Sequence, residues 1–73
     1  MDEKLRKIVA EALESPVDSI DESTSQETLS AWTSLAHLRL ITEVESAYDV
    51  QFTMDEALEL TSVAKLAARL AQG

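Results

Sequence analysis

Ser34 and His37 are the residues of this 73-residue chain whose types and spacing could do chemistry. Three positions apart on a helix, their side chains could meet, and a serine beside a histidine suggests a nucleophile with its base. That chemistry also needs an acid to orient the imidazole and donors for an oxyanion in a sheltered pocket. A helix start at the surface supplies neither. The other chemistry open to Ser34 is passive. It lies where the polar, acidic stretch 15–32 gives way to the apolar-periodic run Leu35-Ala36-His37-Leu38. A hydroxyl there stands at the positive end of a helix, a favourable place for a phosphate. Taken alone, such a serine is most simply an N-cap. His37 is expected to be exposed beside it, rather than to act as a base. No cysteine is present, which excludes disulfides, thiolate metal sites and a cysteine nucleophile. The acidic pairs Asp18/Asp21 and Asp55/Glu56 lack calcium-loop spacing and a glycine turn, so no metal site is expected.

The elements that must position Ser34 follow from periodicity. Leu5, Ile8, Val9, Ala12 and Leu13 are spaced as one buried helical face, and Ser15-Pro16 is expected to stop that helix. Residues 15–32 form a long polar loop with Val17, Ile20, Leu29 and Trp32 as isolated apolar anchors. Thr24 and Glu27 have capping-box spacing and predict a brief turn near 25–29. Trp32 is expected to pack the loop onto the helices. A second helix is predicted from Thr33 or Ser34 to Tyr48, with Leu35, Leu38, Ile41, Val44, Ala47 and Tyr48 as its apolar face and Leu40 broadening it. Val50 and Phe52 should dip back into the core. Thr53 and Glu56 form a second capping box, opening a short helix to Leu58 or Glu59. Thr61 or Ser62 then caps a last helix bearing Val63, Leu66, Ala67 and Leu70. The fold class is all-α: a small four-helix bundle in one domain, residues 1–73.

Composition narrows the partners. The net charge is −8, and residues 15–32 hold four carboxylates and no base. Nucleic acid needs clustered Lys and Arg, so it is excluded as a partner. No stretch approaches the roughly 18 apolar residues of a membrane span, and Met1-Asp2-Glu3-Lys4 lacks a signal peptide's apolar core. A cytoplasmic monomer is expected, meeting other proteins by electrostatic steering.

With these elements in place the chain resembles the acyl carrier protein family. The family's hallmark, Asp-Ser-Leu at the start of the second helix, is here Thr33-Ser34-Leu35. The continuation Ala36-His37-Leu38-Arg39-Leu40-Ile41 is similar to a subgroup whose motif follows a tryptophan. Glu45 to Phe52 resembles the family's acidic–aromatic end to helix two, and Thr61-Ser62-Val63 its start to the last helix. The resemblance covers essentially the whole chain.

That resemblance implies a 4′-phosphopantetheine arm, derived from coenzyme A, on Ser34. It implies a phosphopantetheinyl transferase that installs the arm and a ligase that loads an acyl, aminoacyl or hydroxyacyl group as a thioester. A downstream synthase or transferase would receive the cargo. The chain itself would be no enzyme. Partner contacts are expected at Thr33, Leu35, His37, Arg39, Glu43 and Glu45. Met54, Leu58 and Leu60 are read first as core packing, and the resemblance offers them as walls of an acyl cavity. Thr33 replaces the family's acid and Arg39 stands on a face often acidic, which points to a specialised pathway. A second reading is an unmodified carrier-like module that only binds partners.

Overall fold

Short-range polar signals set where each helix begins. In the computed structural model, which describes residues 2–72, α1 runs Glu3–Ala12, α2 Ser34–Tyr48, α3 Met54–Glu59 and α4 Val63–Ala71. A 3₁₀ turn, Val17–Ser19, lies in the first loop. Met1 and Gly73, the ends of the expected 1–73 domain, lie outside the described residues. Side-chain oxygens of Asp2, Thr33, Thr53 and Ser62 each accept a first-turn N–H, relieving donors that a helix start leaves unpaired. At α3 both halves of the Thr53/Glu56 capping box form.

The first helix ends earlier than Pro16 would require. Glu14 turns into the left-handed region (φ 53°), its N–H bonding the Glu11 carbonyl and the Ser15 N–H that of Ala10. This pair of bonds closes a helix end in the manner usually assigned to glycine. Asp49 does the same after α2, with the Val50 N–H returning to the Glu45 carbonyl.

The long acidic loop is held at several points. The Arg6 Nε–H donates to the carbonyls of Val17 and Ile20, both at 3.0 Å, which seats Ile20 in the core. The turn at 25–29 forms, but Thr24 does not cap it. Its buried hydroxyl accepts the Asp21 N–H, and Thr28 accepts the Ser25 N–H instead. An isolated antiparallel bridge between Ser25 and Ser62 stitches the loop to the start of α4 through Gln26 N–H to Thr61 O and Val63 N–H to Thr24 O.

Leu5, Val9, Ile20, Trp32, Leu40, Val44, Val63 and Leu66 are fully buried. Each such side chain contributes about 1.5–3 kcal/mol by leaving water. Val50 and Phe52 are half-buried, and the Phe52 ring also lies under the Arg69 guanidinium. The core phase of α2 differs from the predicted face. His37, Leu40, Ile41 and Val44 point inward, whereas Leu35 and Leu38 are 75% and 65% exposed. Ala67 on α4 is likewise exposed. No helix of the described residues is long and apolar enough to cross a membrane.

Candidate functional site

Thr33 and Ser34 divide the work at the start of α2. The Thr33 hydroxyl accepts the Ala36 N–H at 3.1 Å and its carbonyl accepts the His37 N–H at 2.8 Å. Ser34 is therefore the first helical residue and not the cap. Its side chain is exposed and has no hydrogen-bond partner among the described residues. The N–H groups of Ser34 and Leu35 remain at the open end of the helix, where partial positive charge collects.

His37 does not meet Ser34. The imidazole is buried, with Nδ1 accepting the Trp32 indole N–H at 3.0 Å and Nε2 2.6 Å from the Ala57 carbonyl. An indole N–H can only donate, so Nδ1 is the acceptor and Nε2 carries the proton. The two rings lie 6.1 Å apart and 28° from parallel. Both nitrogens are committed, which removes the serine–histidine pair. It also corrects the expectation of an exposed histidine available to partner or cargo. The phase of α2 carried the signal: Leu40, Ile41 and Val44 put position 37 on their own face. Trp32, 2% exposed, packs the loop onto the helices as its position before α2 suggested.

The acidic residues expected to face partners, Glu43 and Glu45, are both half-buried. Glu45 accepts the Phe52 N–H at 2.8 Å and holds the link to α3. Glu43 has one carboxylate oxygen buried without a partner, beside a cleft lined by Ile8, Glu11, Ser46 and Ala47. Arg39 is exposed and, among the described residues, forms no ion pair or hydrogen bond. It borders a shallow groove of about 390 Å³ between the end of α1 and the start of α2, with Leu13, Glu14, Thr33 and Leu35 on its walls.

Met54 and Leu58 are 80% and 67% exposed on α3, and Leu60 belongs to the core, so none of the three lines an acyl cavity. Met54 and Leu58, with Leu35 and Leu38, are the exposed large apolar residues among those described. Among the described residues, no group of three His, Asp or Glu side chains is placed to hold a metal ion.

The family model for the phosphopantetheine attachment site matches residues 3–70. No curated protein matches the chain. Such domains receive 4′-phosphopantetheine covalently through a phosphodiester. The geometry at α2 fits that group: a hydroxyl that is exposed and unbonded, at a helix mouth that favours an anion. Matched over residues 3–70, the chain belongs to the phosphopantetheine attachment-site family of acyl-carrier-type helical domains.

Proposed function

We propose that the chain is a single carrier domain whose Ser34 bears the 4′-phosphopantetheine arm, and that it delivers acyl, aminoacyl or hydroxyacyl groups to separate enzymes. The observation that carries this reading is the free Ser34 hydroxyl beside a cap made by Thr33. When bound, the arm supplies a terminal thiol that holds cargo as a thioester. The chain's own residues do the rest. Thr33 fixes the helix start, and the first-turn N–H groups favour the phosphodiester charge by about 0.3–1 kcal/mol. Nothing adjoining Ser34 can deprotonate it, because the nearby imidazole is locked to Trp32 and Ala57. On this reading the hydroxyl is an acceptor of chemistry done by another protein.

Partner contacts on this reading centre on Thr33, Leu35, Leu38 and Arg39 of α2, extended by Met54 and Leu58 of α3. The exposure of the apolar residues supports that assignment, and Arg39 adds a cation with no internal partner. These contacts serve a transferase, a loading ligase and an accepting synthase or transferase, for a monomeric cytoplasmic carrier. Incubation with coenzyme A, Mg²⁺ and a broad-specificity phosphopantetheinyl transferase, followed by intact-mass measurement, tests it. A gain of one phosphopantetheine, absent in Ser34→Ala, is expected. An unmodified chain that still binds partners would instead identify an interaction module.

A further inference from the structure

We propose that the groove between the end of α1 and the start of α2 is a seat for the cargo carried on Ser34, and that Arg39 selects acyl groups bearing a free carboxylate. The proposal rests on Ser34 as the attachment residue and names the class of cargo that its surroundings take.

Of the three arginines in the chain, two are engaged inside the molecule. Arg6 holds Glu3, Asp18 and two loop carbonyls, and Arg69 holds Glu56. Arg39 holds nothing among the described residues. It is the only Lys or Arg of residues 8–64, a stretch with twelve Asp and Glu. Glu14, on the α1 side of the same groove, forms no ion pair with it. The guanidinium is always charged and presents a planar fork of donors that matches a carboxylate.

The groove fits a short cargo. Its volume of about 390 Å³ lies near the lower end for small-molecule clefts. Buried Leu13 and half-buried Ala36 line it with apolar surface, and Thr33 brings it to the residue before Ser34. Arg39 supplies its cation. Met54, Leu58 and Leu60 line no cavity that would take a long acyl chain into the bundle. A short acyl group with a charged end finds both an apolar wall and a counter-ion in this groove.

Arg39 follows Ser34 by five residues, about 7.5 Å along the axis of α2. A pantetheine arm is longer than that and can fold back to lay its acyl end in the groove. Tethering decides the balance of charge. The net charge of −8 repels a free anion, whereas a tethered one is present at an effective concentration on the order of millimolar. Glu14 opposes the same carboxylate and so favours its placement on the α2 side.

Two loaded proteins that differ in one group test this. A broad-specificity phosphopantetheinyl transferase with Mg²⁺ moves malonyl- or propionyl-phosphopantetheine from the corresponding coenzyme A thioester to Ser34, releasing adenosine 3′,5′-bisphosphate. The malonyl cargo carries a carboxylate where the propionyl cargo carries a methyl group. NMR then reads the Arg39 Nε–H and the backbone amides of residues 12–14 and 35–39. In the malonyl form, exchange of the Arg39 Nε–H is expected to slow about threefold against the propionyl form, the factor of a partly exposed charge pair. High salt should erase the difference. The amides of Leu13 and Ala36 should differ between the two forms, and Arg39→Gln should remove that difference. Glu14→Gln should enlarge the effect at Arg39. Both substituted side chains are exposed, so the core stays intact. Identical Arg39 signals in the two loaded forms overturn the proposal, as does an amide difference that survives in Arg39→Gln or an Arg39 effect that shrinks in Glu14→Gln. Those results on a loaded chain strike the cargo seat alone. A chain that the transferase never loads overturns the Ser34 reading and the seat together.

Discussion

The Trp32 indole donates its Nε1–H to Nδ1 of His37 at 3.0 Å, inside the core, across the turn that presents Ser34. The indole N–H can only donate, so Nδ1 is its acceptor and Nε2 is the donor to the Ala57 carbonyl. Trp32→Phe keeps most of the ring volume but leaves Nδ1 buried and unpaired. A destabilisation of about 1–3 kcal/mol is expected from that orphaned acceptor, beyond the loss of packing. Urea unfolding followed by far-UV circular dichroism measures it. A loss below about 0.5 kcal/mol would mean the bond carries little weight.

Glu43 presents the opposite case: the residue is half-buried, and one carboxylate oxygen lies buried beside α1 with no partner among the described residues. A buried oxygen without a partner costs stability, and an apolar replacement of similar length removes the cost. Glu43→Leu should raise stability by on the order of 1 kcal/mol. Glu43→Gln should gain less, because the amide still needs partners. Chemical denaturation of the three chains ranks them, and a leucine variant less stable than the parent contradicts the assignment.

Two helix ends carry non-glycine residues with φ of 53°, Glu14 and Asp49. Aspartate tolerates this conformation better than glutamate does. Glu14→Gly should therefore stabilise the fold, by up to about 1 kcal/mol after the extra entropy of an unfolded glycine is counted. Asp49→Gly should gain less. Paired thermal melts read the difference, and equal or reversed gains would count against it.

Acid and alkali should each remove a specific contribution. Glu56 accepts the Thr53 N–H and the Arg69 guanidinium, which hold its carboxyl below its ordinary value of 4.5. A depressed carboxyl stabilises the fold above its unfolded value, and that contribution disappears as pH falls through the folded one. Asp21, lowered by its bonds to Ser23, adds a second loss in the same range. Burial, then the bond to Asp2, pushes the Tyr48 phenol up to about 12 from 10.0. A raised phenol works in the other direction: its contribution is complete below 10.0 and is lost as pH rises towards about 12. Stability against pH, measured for Glu56→Gln and Tyr48→Phe, should flatten on the acid and alkaline sides respectively. An unchanged profile in either variant would deny that residue's share.

Local signals in the sequence located the helices well, because caps and breakers act within a few residues. The Thr53/Glu56 box opens α3 where it was expected, and Thr33 marks the start of α2. Two features escaped. Thr24 and Glu27 had the same spacing as a real box, but a local bond three residues back in the loop took the Thr24 hydroxyl to the Asp21 N–H. The phase of α2 was read from Leu35 and Leu38, since apolar residues usually face inward. Leu40, Ile41 and Val44 placed His37 on the inward face, but the Trp32 indole that satisfies the buried imidazole is a contact no periodicity contains. Once the imidazole is satisfied inside, the leucines must lie outside, and the surface around Ser34 becomes apolar. The site residue itself was legible; the reason that its hydroxyl is unbonded was not, because it required knowing which of two adjacent hydroxyls caps the helix.

The most direct measurement is the position of the modification. The chain is treated with coenzyme A, Mg²⁺ and a broad-specificity transferase, then digested and mapped by fragmentation mass spectrometry. Added phosphopantetheine on Ser34 alone, with Thr33, Ser25 and Ser30 unmodified, is the result predicted by a free hydroxyl beside a capping one. Modification at another hydroxyl, or none on the folded chain, would contradict it.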